Sequence, residues 1–381
     1  MAPVACGHQR AGPIASDWRC HWHGRNSLTS NSVIHTDVLV VGAGPAGLAA
    51  ALAARSCAAT VVVSGRMACR PPGLTHEILP GGTRAIIAAL GLADASVGPC
   101  ITPLQRLSSA WGPSLPQAAA WTTEHYAGWY VIDRNAFDRA LLHRALNAQI
   151  GYRRATVRKI STTRGGGHLV EYDRGPAIDC RFIIDATGRH CSVARRLGAK
   201  VQIAHRLFTV ASRVKDSQDL FETATAVIFT VPNGWSFTFP IAENVCLAQF
   251  FMSPIRNRSC AAIRTGQING DCVRTASTAI TDPLTGDGWL AVGDAAVALD
   301  PIASTGLTMA LKSGLRGGLA AVSALSCDSN SVAEYAASLR AYFRAFLAER
   351  RRLYAMETKF SGEDFWQEQL MNDAHLGVSS I

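Results

Sequence analysis

The feature that most constrains this chain is a glycine-rich turn set between an apolar strand and an alanine-rich helix. Residues 37–41 read Asp-Val-Leu-Val-Val, a β-branched run suited to a strand buried on both faces. Gly42-Ala43-Gly44-Pro45-Ala46-Gly47 follows, and Leu48 to Ala54 then forms a strong helical run. Residues 59–63, Ala-Thr-Val-Val-Val, supply a second strand. A βαβ context of this kind turns a weak GxGxxG match into a specific one. Gly42 allows the tight turn, Gly44 lets the backbone approach a pyrophosphate, and Gly47 lets helix and strand pack closely. Pro45 and Ala46 open the helix, whose free N–H groups and dipole favour the anion. The alternative reading is a glycine turn with a structural role alone.

An acidic residue commonly ends the second strand of such a unit and holds the ribose hydroxyls. Here Ser64 stands in that place, followed by Gly65 and Arg66. A serine hydroxyl bonds ribose more weakly than a carboxylate does, and Arg66 would meet a phosphate. The turn by itself therefore leaves the dinucleotide open.

A chain of 381 residues has room for two domains or one large α/β unit. With 48% hydrophobic and 17% charged residues, disorder of the whole chain is excluded. The net charge is +9, and only five of the 37 basic residues are lysine. The charges are scattered, with no basic block interleaved with aromatics, so nucleic acid is not an expected partner. Arginine suits an anionic cofactor or an acidic protein. The eleven cysteines include no CxxC pair, and an odd count cannot form a complete disulfide set, so reduced thiols and a cytoplasmic setting are expected. Residues 1–35 read as a disordered tail without the apolar core of a signal peptide. Cys6, His8, Cys20, His21 and His23 match no zinc spacing, so no metal is expected. The uncharged run between Glu222 and Glu243 is broken by Pro232-Asn233-Gly234, and that between Asp37 and Arg55 is short and holds the glycine turn. No membrane span is expected.

Two later motifs narrow the cofactor. Residues 180–188, Cys-Arg-Phe-Ile-Ile-Asp-Ala-Thr-Gly, are an apolar strand ending in a small turn. Residues 288–294, Gly-Trp-Leu-Ala-Val-Gly-Asp, are another, ending in Gly293-Asp294. Asp300-Pro301-Ile302-Ala303-Ser304-Thr305-Gly306 then leads into a helix. These resemble the ATG and GD motifs of the p-hydroxybenzoate hydroxylase-fold flavoproteins. The resemblance implies FAD, with Asp294 on the ribityl chain. It also implies that Ser304, Thr305 and Gly306 open a helix that points at the flavin pyrimidine edge, where its dipole stabilises negative charge. The implied fold is an α/β Rossmann-like FAD-binding domain of the p-hydroxybenzoate hydroxylase/glutathione-reductase type. An α+β substrate domain on a mixed or antiparallel sheet is inserted into it. Residues 36–66, 130–199 and 286–330 are assigned to the FAD domain, 67–129 and 200–285 to the substrate domain, and 331–381 to a C-terminal helical segment. Residues 225–231 and 245–252 read as strands, 134–148 as a helix, and Gly165-Gly166-Gly167 as a hairpin turn. No second GxGxxG occurs, so electrons are expected from docking NAD(P)H or a separate flavin reductase.

Three further segments point to a branch. His76-Glu77-Ile78-Leu79-Pro80, followed by a helix ending near Leu90, resembles the GExLP segment of tryptophan-halogenase-like flavoproteins. Residues 129–138, with Asp133-Arg134 at their centre, resemble the WxxDRxxFD stretch of that group. Tyr354, Glu357, Phe360, Phe365 and Trp366 resemble its closing ExRW…FW element. Over residues 36–368 the sequence is similar to the maturation flavoproteins of tryptophylquinone enzymes, which hydroxylate a tryptophan in a partner protein. Halogenation is disfavoured, because no lysine precedes Lys159 and the halogenase WxWxIP motif survives only as Trp235-Ser236-Phe237-Thr238-Phe239-Pro240. Glu77, then His76, are the candidate acid or base, on a segment expected to be a loop near the flavin. Their alternatives are a helix-capping carboxylate and an exposed imidazole. Arg134 contacts FAD by resemblance, or forms a surface ion pair. The helix over 333–355 should bury Tyr335, Leu339, Tyr342, Phe346 and Leu353, and turn Arg340, Arg344, Arg351 and Arg352 to solvent or to an acidic partner. The expected activity is FAD-dependent hydroxylation of an aromatic ring. A small aromatic metabolite as substrate, an isoprenoid double-bond reductase and a flavin-free scaffold are the alternatives.

Overall fold

The computed structural model describes residues 33–67, 74–92, 101–112, 117–120, 128–253, 272–326, 328 and 330–371. Cys6, His8, Cys20, His21 and His23 lie outside these residues. The tail is shorter than expected at its inner end: Ile34 and His35 already pair with Ile178 and Asp179 in the first strand, Ile34–Val41.

That strand is the centre of an eight-stranded sheet. It pairs in parallel with Val61–Ser64 on one side and Ile178–Asp185 on the other, and Gly151–Arg153 and Trp289–Ala291 extend the parallel set. Val61–Ser64 and the second half of Ile178–Asp185 are buried at every position, which accounts for the apolar runs Val61-Val62-Val63 and Phe182-Ile183-Ile184. Val157–Thr162 and His168–Tyr172 form an antiparallel hairpin beside it, and Gly165-Gly166-Gly167 lies in the turn. One side of the sheet is covered by the helices Pro45–Ser56 and Gly306–Leu325. These two helices touch backbone to backbone. A Cβ on Gly314 would sit 2.3 Å from the Ala46 carbonyl oxygen, and one on Gly318 2.2 Å from that of Ala50. Small residues on both helices are therefore a condition of the contact, which brings two distant parts of the sequence to one place.

The inserted part is built on a seven-stranded mixed sheet. Its order is Cys272–Thr275, Phe208–Lys215, Val245–Met252, Gly234–Ala242, Thr225–Val231, Arg106–Ala110 and Gln117–Ala120. All neighbours are antiparallel except Thr225–Val231 and Arg106–Ala110. His76–Pro80, Trp129–Asp133 and Ile101–Leu104 make a small antiparallel sheet, and the helix Arg134–Asn147 leaves its central strand. Lys200–His205, Thr278–Asp282 and Val297–Ala298 make another.

The long helix Asn330–Ala355 braces the two parts. Tyr335, Leu339, Phe343, Phe346 and Leu347 pack in the core of the parallel sheet, and the Tyr335 hydroxyl donates to the Ala291 carbonyl at 2.8 Å. Farther along, Tyr354 joins Trp111, Trp235, Phe251, Phe365 and Trp366 against the substrate sheet. The buried face differs from the expected one: Tyr342 is 39% exposed, while Arg350 is buried. Positions 335, 339, 343, 346, 350 and 354 keep helical spacing, and they follow a line that an apolar count misses because an arginine sits on it. Among the described residues, no helix is long and apolar enough to cross a membrane.

Candidate active site

Three strand ends converge at the C-terminal edge of the parallel sheet. At the first, Gly42 adopts φ +122°, and a Cβ there would lie 2.1 Å from the Ala186 carbonyl oxygen. Only glycine fits. Gly44 is the N-cap of Pro45–Ser56, and nothing lies within 4 Å of where its Cβ would be. Space and free amide donors thus meet at one helix N-terminus, the arrangement that receives a pyrophosphate. Gly47 packs on the Gly42 carbonyl behind it. Ser64 ends the second strand, and its side chain is fully buried; Arg66 beyond it is exposed.

At the second strand end, buried Asp185 is committed to the fold. It accepts from Thr187 N–H and hydroxyl at 2.9 and 2.6 Å, and from Val193 and Ala194 N–H at 3.1 and 2.8 Å. Burial raises its pKa and these bonds oppose the rise.

At the third, Gly293 turns at φ +59° and Asp294 enters the cleft, its side chain 38% exposed. Arg189 Nε lies 3.2 Å from its carboxylate, and the same guanidinium donates to the Ser277 and Leu299 carbonyls. Burial raises the Asp294 pKa; Arg189 opposes that, nearby Glu77 adds to it, and Arg134 opposes it. Arg189 was not singled out in the sequence, although it directly follows the Thr187-Gly188 motif.

Glu77 and Arg134 therefore belong to the same cleft as Asp294. Arg134 is buried between two carboxylates: Nη1 donates to Glu77 Oε2 at 2.6 Å, and Nε and Nη2 to Asp138 at 3.2 and 3.3 Å. These partners raise its pKa against the effect of burial and hold it charged. It is no surface ion pair. Glu77 keeps 34% of its side chain exposed, and it is the N-cap residue of none of the described helices; Asp133 caps Arg134–Asn147.

The expected loop at residues 76–80 is a strand, paired along its length with Trp129–Asp133. The correction matters for chemistry, because successive residues on a strand face opposite sides. Glu77 meets Arg134, whereas half-buried His76 lies by Thr75 and Asp133, with its pKa lowered by burial against the pull of Asp133. The two do not converge on one point.

The loop before Gly306–Leu325 closes the cleft. Asp300 Oδ1 accepts from Ile302 N–H at 3.0 Å, Ser304 sits at φ +49°, and Gly306 opens the helix. Thr305 carries a buried hydroxyl with no hydrogen-bond partner among the described residues. A buried orphan hydroxyl is costly, so a polar ligand atom at this turn fits the site. The open Gly44 backbone and the orphan Thr305 hydroxyl both suit an extended dinucleotide. Thr83 and Thr308 hydroxyls, 2.5 Å apart, tie this helix to Thr83–Ala89.

The sequence pattern of the tryptophan halogenase family matches residues 107–377. LodB of Marinomonas mediterranea, which carries the name of an FAD-dependent oxidoreductase, is 23% identical over 365 residues, covering 87% of this chain and 96% of that one. Among solved structures, the peptidyl tryptophan dihydroxylase QhpG, described as essential for tryptophylquinone cofactor biogenesis, superposes with a TM-score of 0.69. It is 20% identical over 88% of this chain and 78% of QhpG. The myxobacterial chondrochloren halogenase CndH superposes with a TM-score of 0.76, at 19% identity over 90% of this chain and 88% of that one. The inserted-sheet fold agrees with these likenesses. The chain belongs to the tryptophan halogenase family and is an FAD-dependent oxidoreductase.

Proposed function

We propose that the protein is a monooxygenase that hydroxylates an aromatic ring, with a tryptophan of a partner protein as substrate. One observation carries this choice within the family. All five lysines of the chain, Lys159, Lys200, Lys215, Lys312 and Lys359, lie at exposed positions, so none is a buried amine held beside Glu77, Arg134 and Asp294 to direct a halogen. The likeness to a peptidyl tryptophan dihydroxylase supports the substrate class.

The pyrophosphate of FAD would lie on the Gly42–Gly47 turn and the helix N-terminus, including Pro45 and Ala46. Asp294, with Gly293 giving it room, would take the ribityl hydroxyls, and Ser304, Thr305 and Gly306 would take the pyrimidine edge. Arg66 would meet a phosphate. Ser64 faces inward, so it would shape the strand end and bond the ribose only through its backbone. FAD, when bound and reduced, supplies the oxidising chemistry with dioxygen. The chain then has to orient the ring, exclude water and handle a proton. Arg134 pins one oxygen of Glu77 and leaves the exposed part of that carboxylate facing the cleft. An ionised Glu77 stabilises positive charge that develops on the attacked ring and takes the proton lost from the ring carbon. His76, on the other face of the strand, would act on the strand's position rather than on the substrate. Electrons would come from NAD(P)H or a separate flavin reductase, and the site of action would be the cytoplasm.

A test is to incubate the protein with FAD, a reductase, dioxygen and saturating bromide, together with a tryptophan-bearing partner or peptide. Mass spectrometry should show one or two added oxygen atoms on the tryptophan and no bromine. Bromination without oxygenation would establish the halogenase reading that the likeness to CndH favours. Reduction of an isoprenoid double bond without dioxygen would overturn both.

A further inference from the structure

The Pro301–Gly306 turn is anchored from outside the cofactor domain. Asp300, at its start, is fully buried and divides its oxygens between two tasks. Oδ1 caps the turn, while Oδ2 accepts from Arg350 Nε at 2.8 Å and from the Tyr354 hydroxyl at 3.1 Å. Arg350 also donates to the Gln369 carbonyl at 2.9 Å and to the Gln369 side chain, and its guanidinium lies 4.2 Å from the Tyr354 ring centroid. The Tyr354 hydroxyl in turn accepts from Trp235 Nε1 at 3.0 Å. Trp235 is the first large residue of the central substrate strand, and it stacks on Phe251 at 3.9 Å. A directed chain of donors therefore runs from the substrate sheet through the brace helix to the turn: Trp235 to Tyr354 to Asp300.

A fully buried ion pair is weak evidence for stability, because desolvation offsets much of the attraction. What such a pair does well is fix one arrangement, since every donor needs its one acceptor. The turn it fixes here holds a strained residue, Ser304, and the orphan Thr305 hydroxyl.

We propose that Tyr354 is a positioning residue for the flavin: it holds Asp300, and with it the Pro301–Gly306 turn, in register with the substrate sheet. This inference rests on the assignment of that turn to the FAD pyrimidine edge. Tyr354→Phe deletes the Trp235–Tyr354–Asp300 link and keeps the ring that packs among Trp111, Phe365 and Trp366. Trp235→Phe deletes only the upstream donor.

The experiment titrates FAD into the full-length wild type, both single variants and the double variant. It follows flavin fluorescence, visible circular dichroism and the reduction potential. Tyr354→Phe should raise the FAD dissociation constant about tenfold, the scale of one lost charge-assisted bond, and shift both the potential and the dichroic bands. Trp235→Phe should move all three the same way by a smaller amount, about threefold in affinity. The double variant should bind no worse than Tyr354→Phe, because the two act through one chain. A folded Tyr354→Phe protein with wild-type affinity, potential and dichroism overturns the proposal. If Tyr354→Phe does not fold, wild-type constants in Trp235→Phe overturn it. A wild type that binds no FAD removes the cofactor assignment along with it, whereas a wild type that binds beside an indifferent Tyr354→Phe removes this inference alone.

Discussion

Two buried arginines, Arg134 and Arg350, do the same chemistry in opposite settings. Each bonds a carboxylate through Nε, and each lies where the cofactor domain meets the inserted part. In the Arg350 pair both side chains are 0% exposed, and all three guanidinium nitrogens and both Asp300 oxygens are bonded. Around Arg134 the far partner, Asp138, is buried, but the near one, Glu77, keeps a third of its side chain exposed. A sealed pair can only hold backbone in place. A pair with one open carboxylate holds that carboxylate and still lets it meet a substrate. Burial, more than residue type, separates a pair that can only be scaffold from one placed to do chemistry.

Breaking the sealed pair should have the largest effect. Arg350→Met leaves the Asp300 carboxylate buried without its cation, a cost of about 3–5 kcal/mol. Chemical denaturation of the apo-protein measures it, and an unchanged midpoint would show that water already reaches Asp300. The open pair should respond the other way round. Glu77→Gln should cut turnover about 10²–10⁴-fold, while the unfolding midpoint moves little. A stability loss with unchanged turnover would make Glu77 scaffold too.

The glycine turn offers the same contrast at smaller scale. Gly42→Ala forces a Cβ into the Ala186 carbonyl at a positive φ, and should destabilise the apo-protein by more than about 1 kcal/mol. Gly44→Val has an ordinary φ of −84° and open space, so apo stability should change by no more than about 0.5 kcal/mol. FAD affinity should nevertheless fall at least about tenfold, as the branched side chain occupies the pyrophosphate's approach. Equal loss in both variants would erase the distinction between packing glycine and binding glycine.

The smallest effect concerns pH. The Asp294 pKa is raised in the fold by burial, so the folded apo-protein holds a proton that the unfolded chain releases. Apo stability therefore falls as pH rises from the ordinary carboxylate pKa to the raised one. With more than a third of the side chain exposed, the slope is shallow. Asp294→Asn should flatten it, and a steeper slope in the variant would contradict the assignment.

The strand-end turns that line the cleft were largely legible in the sequence, and the reason is steric. Turns that admit a phosphate need glycine at fixed places, and Gly42, Gly44 and Gly293 mark themselves. Glu77 was legible as a residue but not as a structure. A five-residue segment ending in Pro80 reads as a loop, and only pairing with Trp129–Asp133, some fifty residues away, makes it a strand. Arg350 was illegible, because within Glu349-Arg350-Arg351-Arg352 nothing local separates the arginine that meets Asp300 from its solvated neighbours. The Ser64 side chain faces inward for a related reason: all four residues of its strand are buried, and alternation alone did not say so.

The most direct test of the account follows oxygen from gas to product. The FAD-loaded protein, a reductase and a tryptophan-bearing partner are incubated under isotopically labelled dioxygen, and the partner tryptophan is examined by mass spectrometry. Labelled oxygen should appear on the tryptophan ring, be lost under anaerobic conditions and be strongly reduced in Glu77→Gln. An unmodified tryptophan beside a fully loaded, reducible and oxygen-reactive flavin would contradict it.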